Sequence, residues 1–176
     1  ALVILLGFEI IYIGIQAYRG QRSHFNLSTP FYTIMYVLMA SAATIVSIWT
    51  GIIGFQFFIQ PFPELSIHYL WAIRLGILLF VIFSLEGFVM GSRLSHTIGG
   101  SDGGKGLPFL NWSRKFGDPR VAHFIGMHAL QVLPVLSIYL LKNVYLTILA
   151  GGLYGLLAIY VLVQALQGKV FLKFIK

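Results

Sequence analysis

Five apolar stretches dominate this sequence, at roughly 1–18, 31–59, 67–95, 120–141 and 144–170. Each approaches or exceeds the about 20 residues that a helix needs to cross the hydrocarbon core of a bilayer. Inside lipid a backbone must satisfy its own hydrogen bonds, so runs of this length are read as helices. Strands are a poor alternative, because period-two alternation over about 10 residues is absent. Composition agrees. Of the 176 residues, 58% are hydrophobic and 10% charged, against about 25% charged in soluble domains. That excludes an ordinary soluble domain, a nucleic-acid-binding domain and a disordered chain. The expected fold is all-α: a polytopic transmembrane helical bundle of at least five spanning helices, forming a single transmembrane domain over residues 1–176. The sequence contains no cysteine, which excludes disulfides, thiolate catalysis and Cys-ligated zinc or iron–sulfur sites.

The sequence opens in an apolar run at Ala1, without an initiator Met, a basic n-region or a small-residue cleavage site. Residues before Ala1 are therefore expected, and the helix count is a lower bound.

The connections are polar or rich in Gly and Pro. They are 19–30, 60–66 with two prolines, the Gly-rich 96–119, and a tight turn at Lys142–Asn143. One membrane face receives Arg19, Arg22, Arg93, Lys105, Arg114, Lys115, Arg120, Lys169, Lys173 and Lys176, ten of the twelve Lys and Arg residues. The other receives Arg74 and Lys142. The positive-inside rule makes the first face cytoplasmic, with loop 96–119 and the C-terminus on it. The net charge of +7 is then a topology signal, with attraction to anionic head groups as a secondary effect. The expected partners are membrane lipids and other membrane subunits, and not nucleic acid. The sequon at Asn111 falls on the cytoplasmic face, so no glycosylation is expected there. Tyr32, Phe57, Phe58, Phe62, Tyr69, Trp71, Phe109 and Trp112 form the interfacial belt. Small residues such as Gly87, Gly91, Gly126, Gly151 and Gly155 are placed for close helix packing.

Ionisable groups at membrane depth are costly and need a partner or a task. On the first helix Glu9, Tyr12, Gln16 and Arg19 fall within an arc of about 80°. On the third, Glu86, Arg93 and His96 do the same, again within about 80°. On the fourth, Arg120, His123, His128 and Gln131 spread over about 140°. Counted from the helix ends, Glu9 and Glu86 lie about 15 Å inside and His128 about 12 Å. The expectation is a polar site in the cytoplasmic half, built by helices one, three and four.

Three readings of that site follow. In the leading one the chain is a haem-b-binding electron-transfer subunit of a membrane complex. His96 and His123 are then the axial ligands, His128 is an alternative ligand, and Arg93 and Arg120 are the propionate partners. In the second it is a proton- or ion-coupled transport component using Glu9, Glu86, His128 and Gln131. The third, a metal-dependent membrane hydrolase, suffers from the five-residue spacing of His123 and His128, which turns them about 140° apart. Against all three stands a structural or accessory subunit in which these groups only satisfy one another. Asp102, in SDGGKG, is read as part of a flexible turn. His24, Glu64, His68 and Arg74 are left outside the site.

The stretch EGFVMGSRLSHTIGGSDGGKGLPFLNWSRKFGDPRVAHFIGMHALQVLP, residues 86–134, resembles a segment of uncharacterised bacterial multi-pass membrane proteins. The resemblance rests on His96 to Ser113 and Gly117 to Gln131. It covers about a quarter of the chain and implies a bacterial inner-membrane location, with no reaction attached. More loosely, the chain is similar to dihaem membrane anchors of respiratory complexes in having five helices and several histidines, which do not match position by position.

Overall fold

The computed structural model describes residues 2–172; Ala1 and the cations Lys173 and Lys176 lie outside the described residues. It is helical, with α1 at Leu2–Tyr18, α2 at Pro30–Ile59, α3 at Ile67–Arg93, α4 at Arg120–Leu136 and α5 at Val144–Leu166. Among the described residues there is no strand, only isolated bridges.

Four helical segments are long and apolar enough to cross a membrane: α2, α3, α5, and α4 with its continuation to Leu141. Helix α1 has 17 residues, or about 25 Å of rise, short of a full hydrocarbon core. The sequence reading of at least five spans is therefore supported for four. The expected boundaries shift as well. α3 ends at Arg93 rather than 95, and α5 ends at Leu166 rather than 170. Leu94 turns left-handed at φ 49°, its N–H reaching Gly91 O, so His96 lies outside the helix.

The chain divides into two compact units, Ala1–Thr50 and Gly51–Lys176. In the first, Tyr12 and Gln16 are buried, and Gln16 Nε2 donates to Tyr12 Oη at 2.9 Å. The loop before α2 is tied by Asn26, whose Oδ1 accepts from Ser28 Oγ at 2.7 Å and whose Nδ2 donates to Arg22 O. The Phe25 ring packs edge-on against Tyr36.

In the second unit α3, α4 and α5 pack together, and the amphipathicity of α5 runs opposite to that of a soluble bundle. The buried stripe of α5 is Thr147, Gly151, Gly155, Ala158, Val161 and Ala165. Its exposed face carries Leu149, Leu153, Leu156, Ile159 and Tyr160. Lipid tails are as apolar as Leu, so small residues go inward where backbones must approach, and bulky ones stay outside. α3 and α4 meet along such a seam. A side chain at Gly76 would press on the α4 backbone at Ala129–Leu130, and one at Gly126 would overlap the Phe83 ring.

Two terminations shape the end of this unit opposite the loop between α3 and α4. Pro134 lacks an N–H and is followed by a wide π turn at Ser137–Leu141. The expected tight turn follows: Lys142 is left-handed, and Asn143 Oδ1 caps α5 by accepting from Tyr145 N and Leu146 N. Ser137, inside the fold, bonds to His68 Nδ1 at 2.9 Å and to Thr147 Oγ1 at 3.1 Å. Arg74, from the same end, donates to Phe57 O at 2.7 Å and lies over the rings of Phe58 and Trp71. Both groups are satisfied by local contacts.

Candidate functional site: a buried carboxylate against an imidazole

Glu86 sits on the seam between α3 and α4, with its side chain 5% exposed. Its Oε2 lies 3.4 Å from Nδ1 of His123. Neither carboxylate oxygen has a hydrogen-bond partner, and neither does His123 Nδ1. The two groups are thus close enough to interact as charges but are not aligned as a hydrogen bond, whose strength falls steeply with poor angle. An ionised carboxylate in such a place needs a cation or a donor, and His123 is the ionisable group beside it. The imidazole fits because of Gly87: a Cβ there would come 3.3 Å from His123 Cε1. His123 is not sealed in. Its side chain is 30% exposed, while its Nδ1 lies against the buried carboxylate.

The sequence reading joined Glu86 to His128 by depth, and the structure pairs Glu86 with His123. His128 is on another face of α4 and is exposed. Its Nδ1 lies 2.7 Å from Phe124 O, which makes it the donor, and its ring lies against Phe124. Gln131 is exposed as well. Glu9 belongs to the N-terminal unit, where it lies 3.9 Å from His24 Nε2. Burial pushes His24 below the usual imidazole value.

His96 and Arg120 are engaged by carboxylates of the 94–119 loop, whose turn at Asp102 is hydrogen-bonded to His96. Asp102 folds back so that its carboxylate accepts from His96 N at 2.9 and 3.1 Å, with His96 Nδ1 3.5 Å away. Burial alone would raise the Asp102 carboxyl. Bonds from Thr97, the His96 amide and Ser95, with the His96 charge, bring it below the ordinary value instead. Ile98 and Gly117 exchange backbone bonds at 2.9 and 3.1 Å. Gly117 lies directly on Ala165 O of α5, where no Cβ would fit. The next residue, Asp118, has a side chain 1% exposed. It accepts from Arg120 Nε at 2.9 Å, Arg120 Nη2 at 2.6 Å and Ser113 N at 2.8 Å. Arg120 Nη2 also donates to Asn111 O at 2.8 Å. Arg120 is therefore committed on two of its three nitrogens to the loop's own structure. Arg93 is exposed at the end of α3.

Asp118 has the most hydrogen-bonded carboxylate of the site region, and the sequence reading gave it no role. A signal was present: an Asp immediately before a Pro that opens a helix is a start signature. Among the described residues no three His, Asp or Glu side chains group so as to hold a metal ion. The arrangement at Glu86 and His123 can hold and pass a proton, and His123 can present its outer nitrogen to a ligand. In comparisons with protein-family models, curated proteins and solved structures, nothing matches this chain.

Proposed function

We propose that this is an integral membrane protein in which the Glu86–His123 pair takes up and releases a proton, as a component of proton-coupled transport. One observation carries the reading: both oxygens of a nearly sealed carboxylate lack donors while an imidazole nitrogen, equally unpartnered, stands 3.4 Å away. Uptake balances simply. A proton arriving at His123 Nε2 makes an imidazolium. Its Nδ1 proton then passes to Glu86 Oε2, leaving a neutral acid and the other neutral tautomer. The net change converts a buried negative charge into a neutral pair, which is the direction a low-dielectric site favours. His123 is the proton path because it alone of the two is part exposed.

The test is proton flux into liposomes holding the purified protein, driven by a potassium diffusion potential and read with an enclosed pH dye. Glu86→Gln should lower that flux at least about tenfold, the scale on which a positioned proton-transfer group contributes. An infrared difference spectrum between two pH values should lose a carboxyl band in the same variant. No flux by the unaltered protein, or equal flux with Glu86→Gln, overturns the reading.

A haem b electron-transfer subunit is the second reading, and one observation favours it. A carboxylate that accepts from one imidazole nitrogen is the usual support of a histidine whose other nitrogen ligates metal, and Glu86 Oε2 lies 3.4 Å from His123 Nδ1, near that arrangement but without the hydrogen bond. His96, beside Asp102, is the other ligand on this reading. A reduced-minus-oxidised spectrum of protein expressed with haem supplied separates the two. A b-type band lost in both His96→Ala and His123→Ala supports haem, and its absence removes it.

A further inference from the structure

The loop between α3 and α4 ends in an apolar tip that none of the described residues covers. Phe109 is completely exposed and Leu110 is 46% exposed. The tip is nevertheless built, not loose. Leu107 N donates to Trp112 O and Asn111 N to Leu107 O, each at 2.8 Å. Gly106 and Ser113 bridge below it. Arg120 Nη2 holds Asn111 O, and Arg120 is itself held by Asp118. Trp112, next to the tip, turns inward and meets Phe124 edge-on at 5.4 Å. Phe109 and Asn111 both adopt left-handed backbone, φ 64° and 50°, a conformation that a bulky L residue avoids. The turn therefore displays an aromatic side chain outward at a conformational cost that no packing against the described residues offsets.

The surroundings say what that side chain meets. The loop joins the ends of two helices long and apolar enough to cross a membrane, so its base stands at a membrane–water boundary. Lys105, Arg114 and Lys115 are exposed around the tip. The loop's two acids are engaged elsewhere in it, Asp102 with His96 and Asp118 with Arg120. Aromatic and aliphatic tips flanked by exposed cations suit the boundary between anionic head groups and acyl chains.

We infer that Phe109 and Leu110 insert into the head-group boundary of the bilayer in which the helices sit, and that Lys105, Arg114 and Lys115 make this insertion favour anionic lipid. This is independent of any proton chemistry at Glu86.

Because the chain has no cysteine, Phe109→Cys gives a single site for an environment-sensitive fluorophore, and the fully exposed Phe109 ring can be replaced with the turn's backbone bonds left in place. The full protein is placed in vesicles of phosphatidylcholine, or of phosphatidylcholine with phosphatidylglycerol. Quenching by a nitroxide lipid is compared with quenching by aqueous iodide, with Ser101→Cys, exposed elsewhere in the loop, as the reference. The expected result is strong lipid and weak iodide quenching at position 109, the reverse at 101, and a severalfold rise in the lipid-to-iodide ratio when phosphatidylglycerol is added. Lys105→Glu with Lys115→Glu should remove that rise. Leu110→Cys repeats the measurement should the first label disturb the turn. Iodide quenching at 109 equal to that at 101 in both vesicles overturns the inference and points to a soluble partner for the tip. Lipid quenching indifferent to phosphatidylglycerol also overturns it, since the cations would then play no part.

Discussion

The C-terminal unit sets an imidazole beside a carboxylate twice, at nearly equal distance and in opposite circumstances. His96 and Asp102, in the loop, are 3.5 Å apart, and Asp102 also accepts two contacts from the His96 amide. Glu86 and His123, between the helices, are 3.4 Å apart, and neither carboxylate oxygen is hydrogen-bonded. The loop acid has donors it could have drawn from water. The buried acid has none where water is scarce. Proximity of His and acid therefore says little about role; the state of the remaining lone pairs says more. A satisfied pair holds structure, whereas an unsatisfied buried pair costs stability, and the proton-transfer reading proposed for Glu86 and His123 rests on that difference.

Asp118 extends the satisfied side of this comparison to its limit and carries the largest expected effect. Asp118→Ala strands the buried edge of Arg120, the Ser113 amide and the start of α4. It should cost about 3–5 kcal/mol, the scale for breaking a buried pair, read as a lowered thermal midpoint in detergent. Next comes a contrast in sign between the two His–acid pairs. Asp102→Ala should destabilise the loop by about 1–3 kcal/mol, because the His96 amide loses its acceptor. Glu86→Gln should be neutral or raise the midpoint, because the oxygens it alters accept no hydrogen bond that could be lost. Equal losses in the two variants would erase the distinction.

Much of the architecture was legible in the sequence because membrane rules are strict. Run length gave the helices, Pro30 opened α2, and Lys142–Asn143 closed the turn before α5. The pairing of Glu86 was not legible, for a geometric reason. Depth was counted from the helix ends as if α3 and α4 stopped at one level. Gly87 faces His123, with six residues after Gly87 to the end of α3 and three from the start of α4 to His123. α3 thus overhangs α4 by about three residues, or about 4.5 Å, and its end at Arg93 rather than 95 adds about 3 Å, together about the 7.5 Å of rise that separates His128 from His123. The roles of His96 and Arg120 escaped for another reason. Both depend on Asp102 and Asp118, whose partners are fixed by the folded loop and not by a periodic pattern.

Gly87 allows a smaller test of the buried pair. Gly87→Ala brings a methyl to 3.3 Å from His123 Cε1, so the ring must give by a few tenths of an ångström. Stability should change by less than about 1 kcal/mol, since the contact is tight without overlap. Proton flux should change measurably, because the distance to Glu86 is what the methyl alters. An unchanged flux would mean that the His123 position is not critical, and the buried pair would then look like the loop pair after all.

The smallest effect is local and follows from Asp102. Its carboxyl is held below the ordinary value of 3.8, because the bonds from Thr97, His96 and Ser95 outweigh a burial effect of opposite sign. A depressed acid adds stability that is complete above the unfolded value and is lost as pH falls through the folded one. Protection of the His96 amide against hydrogen exchange, corrected for intrinsic rate, should therefore be flat from neutrality down to about pH 4 and fall only below it. Asp102→Asn cannot titrate and should give a flat, lower protection across the same range. Loss of protection beginning near pH 6 would instead assign the lock to the His96 ring. The loop pair would then depend on imidazole protonation, the property here assigned to His123 alone.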